Sequence, residues 1–337
     1  MKVKIDDVAK DAGVSIATVS RYLNQSPMIS EKSKKKVKKS MEKLNYMPSF
    51  LAQSLAGVIT HTIAFVIDSE NEKTYGNEFF AKIQFGIERE LSAHGFYMLV
   101  ISIENQEKGT KTLQKMIMEK RIEGAILPIE LLSNSMANYF EEINFPFAII
   151  GQHRDSKINC ADINNLQGAN IAMQTLIDKG SRKIAYVSPE YNNDSLKISR
   201  FTGYQQALKR NKLTFSKRLV KLDCNNIFEA KEFAQRIINK EIDVDGILCT
   251  DNKIAFTLVQ YFVKNGVNIP EEVQIICFDN TDLTEISEPA ISAVNLDLVA
   301  LGKVLAKKVL GSFKSDKKVA SMELINVGLI LRDTTKK

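Results

Sequence analysis

The chain has 337 residues, of which 44% are hydrophobic and 26% are charged, and its formal net charge is +6. This length allows two or three domains with a sizeable core, and the composition is that of an ordinary globular protein. No apolar run reaches the roughly 18–20 residues of a membrane-spanning helix, and no apolar signal region opens the sequence. We therefore expect a cytoplasmic protein with no membrane partner.

The excess positive charge is concentrated near the N-terminus. Residues 1–57 contain eleven of the 46 basic and five of the 40 acidic residues, so the rest of the chain carries 35 of each. A run of lysines is often no more than a solvated helix face. Confinement of the whole excess to one small segment favours a polyanionic partner such as nucleic acid.

Two short helices joined by a tight turn are predicted within this segment. Val8, Ala9 and Ala12 give the first helix an apolar face, and Gly13 permits the turn. Ser15 is placed to cap the second helix with its hydroxyl. Helical spacing divides the residues of the second helix into an inward and an outward set. The inward set is Val14, Ala17 in part, Val19 and Leu23, and the outward set is Ile16, Thr18, Ser20, Arg21 and Asn24.

The outward side chains are of the types that suit a DNA groove. Arginine reaches guanine, small hydroxyls reach phosphates, and an aliphatic group contacts a thymine methyl. The residues expected nearest the bases are Ile16, Ala17, Ser20 and Arg21, and those expected mainly at phosphates are Ser15, Thr18 and Asn24.

A third helix and a short fourth one complete this region. Ser30 is placed to cap the third helix, and lysines cover most of its surface. Pro48 stops that helix, and Ser49 is placed to cap a second, very short helix over residues 49–56. Such a helix is too short to be stable alone in water, and a segment that folds only against a partner suits a switch.

These motifs resemble those of the LacI/GalR family of bacterial transcription regulators. The residues that carry the resemblance are Asp7-Val8-Ala9, Ala12-Gly13-Val14-Ser15, Thr18-Val19-Ser20-Arg21, Leu23-Asn24 and Asn45-Tyr46-Met47-Pro48, with Ala52, Ser54 and Leu55. The resemblance covers nearly the whole chain. It implies an N-terminal all-α helix-turn-helix head, residues 1–57 with hinge helix 49–56, and a two-lobed α/β core, residues 60–337, with the doubly wound fold of periplasmic binding proteins.

In such a regulator, Leu55 of the hinge helix is expected to wedge into the central base step of the minor groove. The alternative for Leu55 is an ordinary apolar contact of a linker helix.

From Thr62 onward, apolar strands alternate with amphipathic helices in two successive series, which is typical of parallel, doubly wound sheets. The resemblance adds that the chain crosses between two lobes near Ala161, Ser292 and Leu324. The expected first lobe is about 60–160 with 293–323, and the expected second lobe is about 162–291 with 325–337.

Ligands of open α/β sheets bind outside the carboxyl ends of the strands. Arg200 stands before Phe201-Thr202-Gly203-Tyr204, where the family has an arginine that binds the small-molecule effector. A planar guanidinium grips two oxygens at once, whereas the sequence alone would favour a surface ion pair. Asp251 matches a family aspartate that accepts hydrogen bonds from the effector, and it is also placed as an ordinary helix N-cap.

The resemblance assigns three further residues to the effector site. Phe79 and Phe80 match an aromatic pair, of which we expect one ring to stack on the ligand and the other to join the core. Gln152 stands where many sugar-responsive members place arginine, and Gly151 stands where purine-responsive members carry an acidic residue. These departures favour a neutral, polar effector and count against a purine.

No enzyme, cofactor or metal site is expected. The nucleophile-elbow, zinc-protease, P-loop and dinucleotide-binding motifs are missing from the sequence. The cysteines have no metal-ligand spacing and are expected to be buried, reduced thiols. They are Cys160, Cys224, Cys249 and Cys277.

The predicted function is sequence-specific regulation of transcription by a homodimer on a pseudo-palindromic operator of double-stranded DNA. We expect a repressor of carbohydrate uptake or catabolism genes, controlled allosterically by a small neutral sugar between the lobes. The alternatives are a global catabolite regulator controlled by a phosphorylated carrier protein and a nucleoside- or purine-responsive repressor. A sugar-binding protein without a regulatory role is contradicted by the basic head.

Overall fold

A computed structural model describes residues 3–23, 26, 28–46, 60–68, 78–153, 155, 157–189, 195–313 and 321–337. The predicted hinge helix 49–56, with Leu55, lies outside these described residues, and so does Asn24.

The head contains three helices in its described part: α1 Ile5–Ala12, α2 Ile16–Leu23 and α3 Glu31–Lys43. Gly13 turns the chain between the first two at φ 62°, a conformation that glycine adopts without strain. Ser15 accepts the Thr18 N–H at 3.2 Å and Ser30 accepts the Ser33 N–H at 3.3 Å, so both predicted caps are present. The three helices share a small core of Val8, Ala9, Ala12, Val19 and Val37.

The core follows the predicted alternation of strands and helices. The strands are β1 Thr62–Asp68, β2 Tyr97–Ile103, β3 Gly124–Pro128, β4 Phe147–Ile150, β5 Cys160–Ile163, β6 Ile184–Val187, β7 Val220–Lys221, β8 Gly246–Cys249, β9 Gln274–Phe278, β10 Ser292–Leu296, β11 Met322–Ile325 and β12 Val327–Ile330. The helices are α4 Glu78–Ala93, α5 Gln106–Met118, α6 Asn134–Glu142, α7 Asn165–Asp178, α8 Ser195–Arg210, α9 Ile227–Ile238, α10 Asn252–Lys264, α11 Asp282–Glu285 and α12 Leu298–Ser312.

Among the described residues the strands form two six-stranded sheets with equivalent orders. The first lobe has the order β2-β1-β3-β4-β5-β11, and the second has β7-β6-β8-β9-β10-β12. The described pairings are parallel except that of β12, which runs antiparallel to β10. The expected two-lobed, doubly wound core is therefore confirmed.

The chain changes sheets at the ends of strands, after Ile163, Leu296 and Ile325. These positions lie one to four residues beyond the expected crossings. Residues 293–296, expected in the first lobe, pair in the second sheet, and residues 162, 163 and 325, expected in the second lobe, pair in the first. The chain crosses only after a strand ends, because each strand is hydrogen-bonded to its neighbours in one sheet up to its last residue.

Close helix contacts build each lobe. A Cβ on Gly86 of α4 would lie 2.2 Å from the Val299 carbonyl oxygen, and one on Gly302 of α12 would lie 2.2 Å from the Ile83 oxygen. In the second lobe, a Cβ on Gly203 of α8 would lie 2.7 Å from the Ala169 Cβ. The backbones of α4 and α12 thus touch directly. Between α7 and α8, the atom nearest to Gly203 belongs to a side chain.

The four cysteines are buried, as expected. Burial raises the pKa of the Cys224 thiol to about 12 and raises the pKa values of Cys249 and Cys277 as well. These thiols therefore stay protonated and unreactive at neutral pH. Within the part of the chain that the structure describes, no helix is long and apolar enough to cross a membrane.

Candidate effector and DNA-binding sites

Helix α2 presents its predicted outward face to solvent. Ile16 is 49% exposed and Arg21 is also exposed, while Thr18 and Ser20 are half-buried. On the opposite side, Val19 is completely buried. The buried side of α2 holds the helix in place. Its exposed aliphatic and arginine side chains can therefore enter a DNA groove without rearrangement of the helix.

Two details of this face differ from expectation or add to it. Ala17 is exposed rather than partly inward, so it belongs to the same surface as Ile16. The hydroxyls of Ser15 and Thr18 lie 2.9 Å apart and bond to each other. Ser15 therefore holds the start of α2 in place, and its predicted phosphate contact would have to share this hydroxyl.

Helix α3 carries the basic surface of the head. Its Ser40 donates to the Val8 carbonyl at 3.2 Å, and Lys43 pairs with Asp11 at 2.5 Å, so α3 is fastened to α1. The hydrogen bond from Lys43 lowers the pKa of Asp11. Five further lysines are exposed and form no ion pair with other described residues: Lys32, Lys35, Lys36, Lys38 and Lys39. This uncompensated charge is available to phosphates.

In the core, Arg200 on α8 is buried rather than on the surface, with only 4% of its area exposed. Its Nε donates to Asn165 Oδ1 at 2.9 Å, and its Nη1 donates to the Thr250 carbonyl at 3.0 Å. Its guanidinium carbon lies 3.8 Å from the centroid of the Phe278 ring. The surface ion pair that sequence alone favoured is therefore not formed. Nη2 has no hydrogen bond to another described residue and is free to bind a ligand oxygen.

Asp279 is a second candidate for binding such a ligand. It follows β9 directly, its backbone has φ 69°, and its Oδ1 is buried without a hydrogen-bond partner among the described residues. Burial raises the pKa of Asp279. The negative charge of Asp251 also raises this pKa, whereas the positive charges of Arg200 and Lys82 lower it. Lys82 belongs to α4 of the first lobe, so Asp279 lies where charges of both lobes act.

A strained non-glycine backbone and an orphaned buried oxygen are costly, and they are typical of binding sites. Sequence reasoning identified Asp251 beyond β8 but missed Asp279 at the end of β9. The same rule applied to β9 would have found it, since Asp279 follows β9 just as Asp251 lies beyond β8. Asn165 was also missed, because its role depends on contact with Arg200 35 positions away.

Asp251 is the N-cap of α10, since its carboxylate accepts the Ile254 N–H at 2.9 Å. Behind it, Thr250 donates its hydroxyl to Ser188 at 2.8 Å, and the Thr250 carbonyl accepts from Arg200. The structure thus brings Arg200 and Asp251 together around Asp279. Whether Asp251 also binds an effector stays a prediction.

The remaining predicted effector residues lie on the first lobe. Phe79 and Phe80 meet edge to face with centroids 5.4 Å apart, and both are half-buried against the core. Their expected division into one core ring and one ligand ring is not visible in their burial. Gln152 donates to Asp162 at 3.0 Å. It follows Gly151, whose φ of 112° is available to glycine alone.

Charges of both signs act on Asp279: those of Arg200 and Lys82 are positive and that of Asp251 is negative, and Lys82 is itself paired with Glu78 at 3.2 Å. An anionic ligand would meet two carboxylates, and a cationic one would meet the buried guanidinium. A neutral ligand rich in hydroxyls can donate to the carboxylates and accept from Arg200. Among the described residues, no group of three or more histidine, cysteine or acidic side chains is arranged to hold a metal ion.

Two family models match the chain. Residues 4–49 match the bacterial regulatory proteins of the lacI family, and residues 173–335 match a periplasmic binding protein-like domain. The HTH-type transcriptional regulator MalR of Streptococcus pneumoniae serotype 4 is 30% identical over 335 residues, which cover 96% of this chain and 98% of MalR.

Two solved structures share the fold at 22% identity. The Lac repressor dimer bound to operator and the anti-inducer ONPF aligns with a TM-score of 0.80 over 99% of both chains. The complex of the transcriptional regulator CelR with cellobiose aligns with a TM-score of 0.70 over 99% of this chain and 100% of CelR.

Proposed function

The chain belongs to the lacI family of bacterial regulatory proteins and is a DNA-binding transcriptional regulator rather than an enzyme, and we propose that it is a sugar-controlled repressor. Its targets are genes of carbohydrate uptake or catabolism, and it acts in the cytoplasm, where those genes are. The single observation that carries the effector assignment is buried Arg200 beside Asp279, whose Oδ1 has no hydrogen-bond partner among the described residues. CelR, with which this chain shares its fold, is solved with cellobiose.

The proposed effector site consists of Arg200, Asp251 and Asp279 from the second lobe, with Phe79, Phe80 and Gln152 from the first. Hydroxyls of a sugar bond to the charged groups, and an aromatic ring covers its apolar face. A ligand that contacts both lobes stabilises one arrangement of the lobes over another, and this difference changes affinity for DNA.

The repressor acts as a homodimer, as supported by exposed apolar side chains on both lobes. Tyr97 on the edge strand β2 is 72% exposed, and Phe85 on α4 is 52% exposed. Phe228 and Ile286 in the second lobe are 75% and 74% exposed. Aromatic side chains such as Tyr97, Phe85 and Phe228 are enriched at protein interfaces. A two-fold dimer would place two α2 helices on a pseudo-palindromic operator.

The first test selects the operator and then the effector. Wild-type protein is used to recover a consensus duplex from a randomised library, and fluorescence anisotropy at fixed salt measures its binding. Mono- and oligosaccharides, purines and a phosphorylated carrier protein are then added in turn. Release by one sugar supports the proposal. Tightening by the carrier protein alone would establish the global-regulator alternative, and a response to purines alone would establish the purine alternative.

The DNA contacts are tested on the same consensus duplex. Arg21→Ala should cost about 1–3 kcal/mol at one guanine of each half-site, and the loss should vanish when that base pair is changed. An equal loss at every base position would give Arg21 a phosphate role instead. Leu55→Ala should weaken operator binding and leave nonspecific binding unchanged, and an equal loss in both would reject the minor-groove wedge.

A further inference from the structure

The two lobes hold the start of their first strands in the same way. In the second lobe, Asp245 precedes Gly246, the first residue of β8. Its carboxylate accepts the backbone N–H of Arg182 at 2.9 Å and that of Lys183 at 2.8 Å. Strand β6 begins at the next residue, Ile184. An acidic side chain thus fixes the point at which the chain enters the sheet.

Glu123 has the equivalent position in the first lobe, since it precedes Gly124, the first residue of β3. Its Oε1 accepts the backbone N–H groups of Thr60 and His61, the second at 3.2 Å. Strand β1 begins at the next residue, Thr62. The chain that Glu123 holds comes from the DNA-binding head, whereas the chain that Asp245 holds comes from within its own lobe.

Further contacts fasten the same short segment to the first lobe. The Glu123 N–H donates to the Thr62 carbonyl at 2.8 Å, and the Tyr97 N–H donates to the His61 carbonyl at 2.6 Å. The His61 ring meets the Phe96 ring edge to face, with centroids 4.9 Å apart. His61 itself has φ 51°, so the backbone turns sharply there. Residues 60 and 61 are therefore held firmly on the first lobe, directly before its first strand.

The carboxylates of Asp245 and Glu123 differ in how many of their oxygens accept hydrogen bonds. Both oxygens of Asp245 accept the Arg182 N–H at 2.9 Å. In contrast, Glu123 Oε2 and Thr60 Oγ1 are both buried and have no hydrogen-bond partner among the described residues. A buried, unpaired carboxylate oxygen is destabilising, so stability alone does not explain Glu123.

We propose that Glu123 is a positioning residue for operator binding, which fixes the end of the linker between the head and the first lobe. This inference rests on the proposed function, because it presumes that the chain recognises an operator. Glu123, which directly precedes β3, ties the backbone at residues 60 and 61 to the start of that strand. A rotation of that lobe is then passed to the linker, and through it to the two heads of the dimer. Without this tie each head binds DNA, but the two lose their fixed relative position.

The test compares operator binding with nonspecific binding in the full-length protein. Glu123→Ala removes the acceptor, and Glu123→Leu removes it while keeping most of the volume, should the alanine variant fold poorly. Either should lower affinity for the selected consensus duplex about tenfold, as loss of charge-assisted hydrogen bonds predicts, and leave affinity for a scrambled duplex within about twofold. Glu123→Gln keeps an acceptor oxygen and should restore most of the operator affinity.

The matched control is Asp245→Ala, which removes the same kind of contact from the second lobe. It should lower the thermal stability of the core but keep the ratio of operator to nonspecific affinity within about twofold of wild type. A second measurement follows chymotrypsin cleavage within residues 47–59, which contain phenylalanine and leucine but no lysine or arginine. Cleavage there should be faster in Glu123→Ala than in Asp245→Ala.

The outcomes separate this inference from the proposed function. If wild type discriminates the consensus duplex and Glu123→Ala and Glu123→Leu discriminate it equally well, Glu123 has no positioning role. If Asp245→Ala loses discrimination to the same degree, the effect is one of general stability, and the inference fails. If wild type itself shows no preference for any duplex, the proposed function falls with it.

Discussion

In both lobes the chain takes a positive φ after equivalent strands, but at different types of residue. After β4 of the first lobe the chain turns at Gly151 with φ 112°, and after β9 of the second it turns at Asp279 with φ 69°. Glycine adopts such a conformation without strain, whereas aspartate does so at a cost. The second lobe accepts this cost and gains a buried carboxylate beside Arg200.

This difference leads us to propose that the two lobes have different roles in ligand binding. In the proposed effector site, the second lobe contributes buried and charged groups, and the first contributes the half-buried rings of Phe79 and Phe80 and the amide of Gln152. Polar groups held rigidly before the ligand arrives lose little entropy on binding. We therefore expect most of the polar recognition to come from the second lobe.

The largest effect on effector binding is expected from substitution of Arg200. Arg200→Lys keeps the positive charge but cannot form the planar contacts to Asn165 and Thr250 at once. Affinity for the effector should fall about 100-fold, whereas Gln152→Ala should lower it only about fivefold. Titration calorimetry with the sugar found in the operator screen measures both.

Arg210→Ala, on the exposed end of the same helix, is the control for Arg200 and should bind the sugar normally. An equal loss from Gln152→Ala and Arg200→Lys would contradict the division between the lobes.

A smaller effect is expected in the helix contacts of the two lobes. Gly302→Ala forces a methyl group against the backbone of Ile83, and should destabilise the protein by about 1–3 kcal/mol. Gly203→Ala meets the Ala169 side chain at 2.7 Å and the Leu166 oxygen at 2.9 Å, and should cost less. Chemical denaturation measures both, with Gly311→Ala as control, because nothing lies within 4 Å of a Cβ there.

The smallest effect concerns the pH dependence of stability at Asp279. Burial raises its pKa in the folded protein above the ordinary value of about 4, so the folded state binds more protons than the unfolded state between these two pKa values. Stability contributed by this group is therefore lost as the pH rises through that window. Asp279→Asn does not ionise, and its melting temperature should exceed that of wild type by about 2–4 °C at pH 7.

At a pH below the ordinary pKa of an aspartate the two melting temperatures should converge. A constant difference at every pH would mean that the charge of Asp279 is not the cause. The same variant should bind the sugar more weakly, because an amide replaces one carboxylate acceptor. A gain in stability together with a loss of binding is what a strained binding residue predicts.

The sequence by itself determined the helix-turn-helix head and the order of the βα units. These features depend on local signals: helical spacing around Val19, caps at Ser15 and Ser30, and apolar runs of strand length. The alternation of strands and helices predicted from Thr62 onward is present in the structure. Local patterns succeed here because hydrogen bonding and burial within one element are decided by neighbouring residues.

Only the tertiary structure decided which residues meet at the strand ends. Arg200 looked like a surface residue by sequence alone, yet partners 35 and 50 positions away enclose it. The strand-end rule could have placed Asp279 at the edge of the sheet, but its backbone conformation and its unpaired oxygen are features of the structure alone. The same is true of the contacts of Glu123 to residues 62 and 63 positions away. Such contacts depend on how separate strands come together in a sheet, and no periodicity along the chain records that arrangement.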